Sequence, residues 1–171
     1  DMYRMFCNAK SFNQALDNWD VSSVKTMNWM FNDAINFNQA LNNWDVSNVT
    51  DMSGMFNQAN SFNQPINDWD VSNVKTMSAM FCFTKEFNQA LNNWDVSNIT
   101  NIGLMFYKAI AFETKFNNGK SLPNYTSDLK QWLKENRDSD RMLAIDIKER
   151  EKDNLDSFYN NLESLYNNLD K

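Results

Sequence analysis

The chain contains no histidine, which removes the side chain most used as a general base or metal ligand near neutral pH. Glycine (3) and proline (2) are scarce, so collagen-like and linker-like compositions are excluded. Two cysteines, Cys7 and Cys82, are too few for a four-ligand zinc site of their own. There is no Gly-rich phosphate loop and no nucleophile elbow. No run of about 18 apolar residues is present, so no segment reads as a membrane-spanning helix. Basic charge is not in excess either. The net charge is −6, with 7 basic against 11 acidic residues in 1–119 and 9 against 11 in 120–171. Nucleic-acid and anionic-membrane partners are therefore disfavoured. The sequence reads as non-enzymatic, with no cofactor expected.

What the sequence does have is aromatic and periodic. It carries 13 Phe, 6 Trp and 5 Tyr, enough for a real core. Trp19, Trp44, Trp69 and Trp94 recur at a 25-residue step. Self-similarity at a period of 20–50 residues indicates a solenoid or array. The fullest copy starts at Asp51, whose column reads Asp1, Thr26, Asp51, Thr76 and Asn101, all good helix N-caps. Met52, Met55, Phe56 and Ala59 follow at i, i+3, i+4 and i+7. That spacing predicts one face of a short helix, too short to survive without its neighbours. Phe62-Asn63-Gln64, matched by Phe12, Phe37 and Phe87 with their Asn-Gln pairs, reads as a turn with a core plug and side-chain ladders. Leu41, Trp44, Val46 and Val49, with their equivalents, read as a short strand with one inward face. The Trp column is read as core rather than as a ligand platform.

Each unit is thus expected to be strand, cap, short helix and turn. Stacking would bury the face that one unit cannot bury alone, with strands paired in parallel and coiling right-handed. Cys7 and Cys82 share a column three periods apart. At about 4.8 Å per coil they would lie roughly 14 Å apart, beyond the ~7 Å of a disulfide. Two free thiols are expected. The chain starts inside a repeat, since Asp1-Met2 aligns with Asp51-Met52. This reads as the back part of a longer polypeptide.

The run Trp44-Asp45-Val46-Ser47-Asn48-Val49-Thr50-Asp51-Met52-Ser53-Gly54-Met55-Phe56, followed by Ala59 and Phe62-Asn63-Gln64, resembles the 25-residue bacterial surface-protein repeat. That repeat is found in lipoproteins and surface proteins of mycoplasmas and Listeria-type bacteria, and in some giant viruses. It is related to the BspA-like leucine-rich repeat. The resemblance covers about residues 1–118. It implies an α/β solenoid, a leucine-rich-repeat-like stack of short strand plus short helix, serving adhesion or protein–protein interaction at the cell surface or outside the cell. Most members of that family have no defined activity.

The repeat ends where Glu113 and Thr114 replace Asn-Gln, and Gly119 falls at the next Trp position. The solenoid is therefore assigned to 1–119 and a helical cap or docking segment to 120–171. In the latter, Thr126 or Ser127 can cap a helix carrying Leu129, Trp132 and Leu133. Further on, Leu155, Phe158, Leu162, Leu165 and Leu169 are spaced 3-4-3-4, a heptad seam widened by Tyr159 and Tyr166. This helix either covers the last coil or docks elsewhere, and both readings make those seven residues candidate contacts.

Within the repeats, Trp29, Phe83 and Tyr107 break columns that are otherwise small or polar. If exposed they form a contact patch; if buried they are local filling. The column Asp20, Asp45, Asp70 and Asp95, with Ser22, Ser47, Ser72 and Ser97, reads as local backbone hydrogen bonding. A calcium- or glycan-binding ladder is the weaker alternative. Asn48, Asn98 and Asn124 match the N-glycosylation pattern, but the first two are simply the repeat. The leading expectation is a surface-exposed module that binds proteins without entering the membrane. The alternative is a rigid subunit of a larger assembly, a virion or a bacterial surface machine, docked through the C-terminal helix.

Overall fold

The structure is a computed structural model of the chain, and it describes residues 1–116, 123 and 128–135. The chain divides into two compact units, Asp1–Lys134 and Glu135–Lys171. The second, beyond Glu135, lies outside the described residues, and so does the whole heptad seam.

In the first unit, successive 25-residue copies lie one on another in register. Parallel bridges join Thr26 to Asp51, Asp51 to Thr76 and Thr76 to Asn101. From each copy, alternate N–H groups donate to carbonyls of the next copy, 24 residues on. Met52, Gly54, Phe56 and Gln58 donate to Thr76, Ser78, Met80 and Cys82 at 2.8–3.0 Å. The intervening N–H groups close local turns instead, Met55 to Met52, Asn57 to Gly54 and Ala59 to Phe56.

This alternation replaces the expected short helix. Each copy has two positive-φ residues four apart, such as Trp29 and Asp33, Gly54 and Gln58, or Ala79 and Phe83. Left-handed residues interrupt the i→i−4 pattern of a helix and turn every second N–H toward the next copy. The apolar spacing of Met52, Met55, Phe56 and Ala59 suits both geometries, because turns of three residues also return those side chains inward. All four are fully buried. The expected strand at Trp44–Val49 is likewise a pair of turns. Trp44 N–H bonds Leu41 C=O and Val49 N–H bonds Val46 C=O, while copy-to-copy pairing falls at Thr50, whose N–H reaches Lys25 C=O. The Asp45 carboxylate accepts from the Ser47 N–H (3.0 Å) and hydroxyl (2.6 Å). That closes an Asx turn in place of extended chain.

The core is a set of like-residue ladders. Phe31, Phe56, Phe81 and Phe106 stack at 5.7, 5.8 and 5.9 Å between ring centroids. Within copies Phe31–Phe37, Phe56–Phe62 and Phe81–Phe87 stack at 4.0, 3.9 and 4.1 Å. Trp44, Trp69 and Trp94 are buried, and each indole N–H donates to the carbonyl of Leu16, Leu41 or Ile66 in the preceding copy. A buried indole N–H needs such a partner. Asn38, Asn63 and Asn88 N–H groups each bond the Asn side chain one copy earlier at 2.9–3.0 Å.

Helix α1 spans Ile110–Phe116 and follows the last turn directly. Its Phe112 stacks on Phe87 and Phe106. A second helix, α2, covers 128–135 and carries the Leu129, Trp132 and Leu133 stripe. Leu129 and Leu133 are buried, and the Trp132 ring lies 5.6–6.4 Å from Phe106, Phe112 and Phe116. The compact unit therefore continues past the last repeat to Lys134, because α2 covers the apolar end of the stack.

Candidate interaction surface

The last turn of the stack carries a cluster that the repeat does not need. Leu104 is 59% exposed, Ile110 55% and Tyr107 48%. Phe83, one copy back and half-buried, meets Tyr107 edge-on at 5.5 Å. The Lys108 ammonium lies 5.2 Å from the Phe83 ring centre and 5.5 Å from that of Tyr107, within cation–π range. Backbone geometry explains the outward placement. Leu104, Phe83 and Lys108 sit at the positive-φ positions, the turn corners, while the core is filled by Met105 and Phe106 beside them.

Of the three repeat residues singled out from sequence, the structure brings Phe83 and Tyr107 together. Trp29 stands two copies before Phe83 and does not join them. It is half-buried against Gly54. A Cβ added to Gly54 would meet the Trp29 ring at 2.4–2.6 Å, so Gly54 is the space the indole occupies. Leu104, Lys108 and Ile110 were not singled out as contact residues. A signal was present for Leu104, which occupies the column of Arg4, Trp29, Gly54 and Ala79. The candidates Leu155, Phe158, Tyr159, Leu162, Leu165, Tyr166 and Leu169 lie outside the described residues.

The acidic column is engaged locally. Asp20, Asp45 and Asp95 each accept from the N–H and hydroxyl of the Ser two residues on, and Asp70 from the Ser72 N–H. The Ser22 and Ser47 hydroxyl and N–H groups hold the Asp20 and Asp45 carboxyls below the usual value. Among the described residues, no group of three or more His, Cys, Asp or Glu is placed to hold a metal. Cys7 and Cys82 are free thiols. Burial pushes the Cys82 thiol up, with Asn57 pulling the other way. The amides of Asn48 and Asn98 donate to the Ser22 and Ser72 carbonyls of the preceding copy, so both are structural rungs. Asn124 lies outside the described residues.

No curated protein and no solved structure matches the chain. Residues 1–119, the whole of the repeat region, match the family described as "Mycoplasma protein of unknown function, DUF285". That span covers well over half of the sequence, and the chain belongs to this family.

Proposed function

We propose that this chain is a non-enzymatic protein-interaction module, a leucine-rich-repeat-like solenoid of the BspA-like kind displayed at the cell surface. The observation that carries this reading is the exposed cluster of Leu104, Tyr107 and Ile110 with Phe83 and Lys108. Exposed aromatic side chains are what protein interfaces concentrate at their centres. The residues the copies share are largely taken up by the core ladders and by the Asx turns, which leaves the copy-specific residues to contact a partner.

A second reading is a stiff subunit of a larger assembly. Unbroken ladders of Phe and Asn across the copies favour it, since such a frame resists bending.

Protease shaving of intact cells carrying the protein, followed by mass spectrometry, tests the leading reading. Repeat peptides are expected from undamaged cells. Protection until the cells are broken open would overturn surface display and turn attention to the assembly.

A further inference from the structure

A cavity of about 260 Å³ opens at the corner of the third copy, lined by Asn42, Pro65, Ile66, Asn67, Asp68 and Trp69. The internal repeat supplies its own control. The segment from the Phe before Asn-Gln to the second Val, or Ile in the last copy, occurs at 12–24, 37–49, 62–74 and 87–99. At only three of its positions does the third copy differ from all the others. Pro65 stands for Ala15, Ala40 and Ala90; Ile66 for Leu16, Leu41 and Leu91; Asp68 for Asn18, Asn43 and Asn93. All three line the cavity.

The frame does not require these changes. The Trp indole bond to the preceding copy is 2.9 Å onto Leu16, 3.0 Å onto Leu41 and 3.0 Å onto Ile66. What changes is the chemistry of the surface. Pro65 gives an exposed apolar wall over the buried Ile66 and Trp69, Asn42 and Asn67 give amides, and Asp68 adds one exposed carboxylate. The Asn93 amide of the next copy holds Asp68 Oδ1 at 3.2 Å. Asp70 follows two residues on, and Asp45 occupies the same turn of the preceding copy, so the surroundings are acidic. None of the lining side chains is basic. The volume lies below the roughly 300–1,000 Å³ of small-molecule sites, which suits one side chain rather than a cofactor.

We propose that this cavity seats a lysine or arginine side chain of a protein partner, with its methylene stem along the exposed Pro65 and its cation at Asp68. This deepens the protein-interaction reading and rests on it for the identity of the occupant.

The test is a ¹H–¹⁵N NMR titration of the full chain with Nα-acetyl-lysine methylamide and its arginine counterpart, using the norleucine analogue as the uncharged control. The cationic probes are expected to shift the Trp69 indole and Asn67 amide signals saturably, with Kd on the order of 1–10 mM. The norleucine probe should bind at least about fivefold more weakly, and Asp68→Asn should abolish the difference. Asp68→Asn installs the residue that the other three copies carry, and its melting curve reports on folding. Should that variant melt early, salt decides: cation binding to the unaltered chain should weaken several-fold between low and about 0.5 M salt. Absence of saturable shifts, equal affinity for norleucine, or a flat salt response would each overturn the proposal. Because these probes report the cavity alone and shaving reports surface display, the two proposals fail independently.

Discussion

At the scale of single residues, the turn corners carry the largest local costs. Trp29, Ala79, Phe83 and Leu104 are among nine non-glycine residues with φ near +54° to +62° among the described residues. A left-handed L-residue costs about 1–2 kcal/mol. Gly54 alone in its column escapes that cost, and it also makes room for the Trp29 indole. Gly54→Ala is therefore expected to lose roughly 2–4 kcal/mol in urea unfolding, the backbone term plus the overlap with the ring. In a Trp29→Ala background the same change should cost only about 1 kcal/mol. Conversely, Ala79→Gly relieves the left-handed cost and gives back some unfolded-state entropy. A net gain of about 0.5–1 kcal/mol is expected. The Asx turns make a pH prediction. Asp20 and Asp45 are held below the ordinary carboxyl value by their serines. The stabilisation is therefore present above that ordinary value and lost as pH falls through the lowered one. Carboxyl-carbon NMR should show Ser47→Ala raising the Asp45 midpoint while leaving Asp20 in place.

At the scale of the repeating element, register governs everything. Deleting residues 76–100 removes one period and puts Asn101 where Thr76 met Asp51, so cooperative melting should survive. Deleting 24 residues instead of 25 shifts every inward side chain out of its ladder and should abolish it. Deleting 51–75 should cost more than deleting 76–100, because Trp29 would then face the Cβ of Ala79 rather than Gly54. Phe56 is stacked on Phe31, Phe62, Phe81 and Trp69 and fully buried; Phe56→Ala should lose about 3–5 kcal/mol in the same urea assay. The period, the inward columns and the Trp core were legible in the sequence because identity at fixed spacing is a direct image of stacking. The secondary structure within a copy was not. A Met-x-x-Met-Phe-x-x-Ala spacing serves a helix and a run of three-residue turns alike. Only the distribution of hydrogen bonds between copies separates them, and that is a tertiary property. The candidate surface was half legible: Phe83 and Tyr107 stood out against their columns, but Leu104 looks like a core residue until its left-handed corner turns it outward, and Ile110 looks like one too until it is seen exposed at the start of α1.

At the scale of the whole molecule, α2 closes one end of the stack with Leu129, Trp132 and Leu133, as arrays need a terminal cover for their last apolar rung. The other end presents Trp19, 41% exposed where its three equivalents are buried. Leu133→Asp should lower the melting temperature by putting a charge where a buried leucine holds α2 in place, and tryptophan fluorescence should show Trp132 becoming exposed before the stack melts. The bonds that join the copies also have a mechanical meaning. They run along the stack, so tension applied along it is carried by every interface in series, and the copies let go one at a time, the weakest first. A copy that lets go frees 25 residues, about 80–90 Å of extended chain, in exchange for a rung of under 6 Å. Under load the stack is therefore expected to lengthen in equal steps and to re-form, copy on copy, when released.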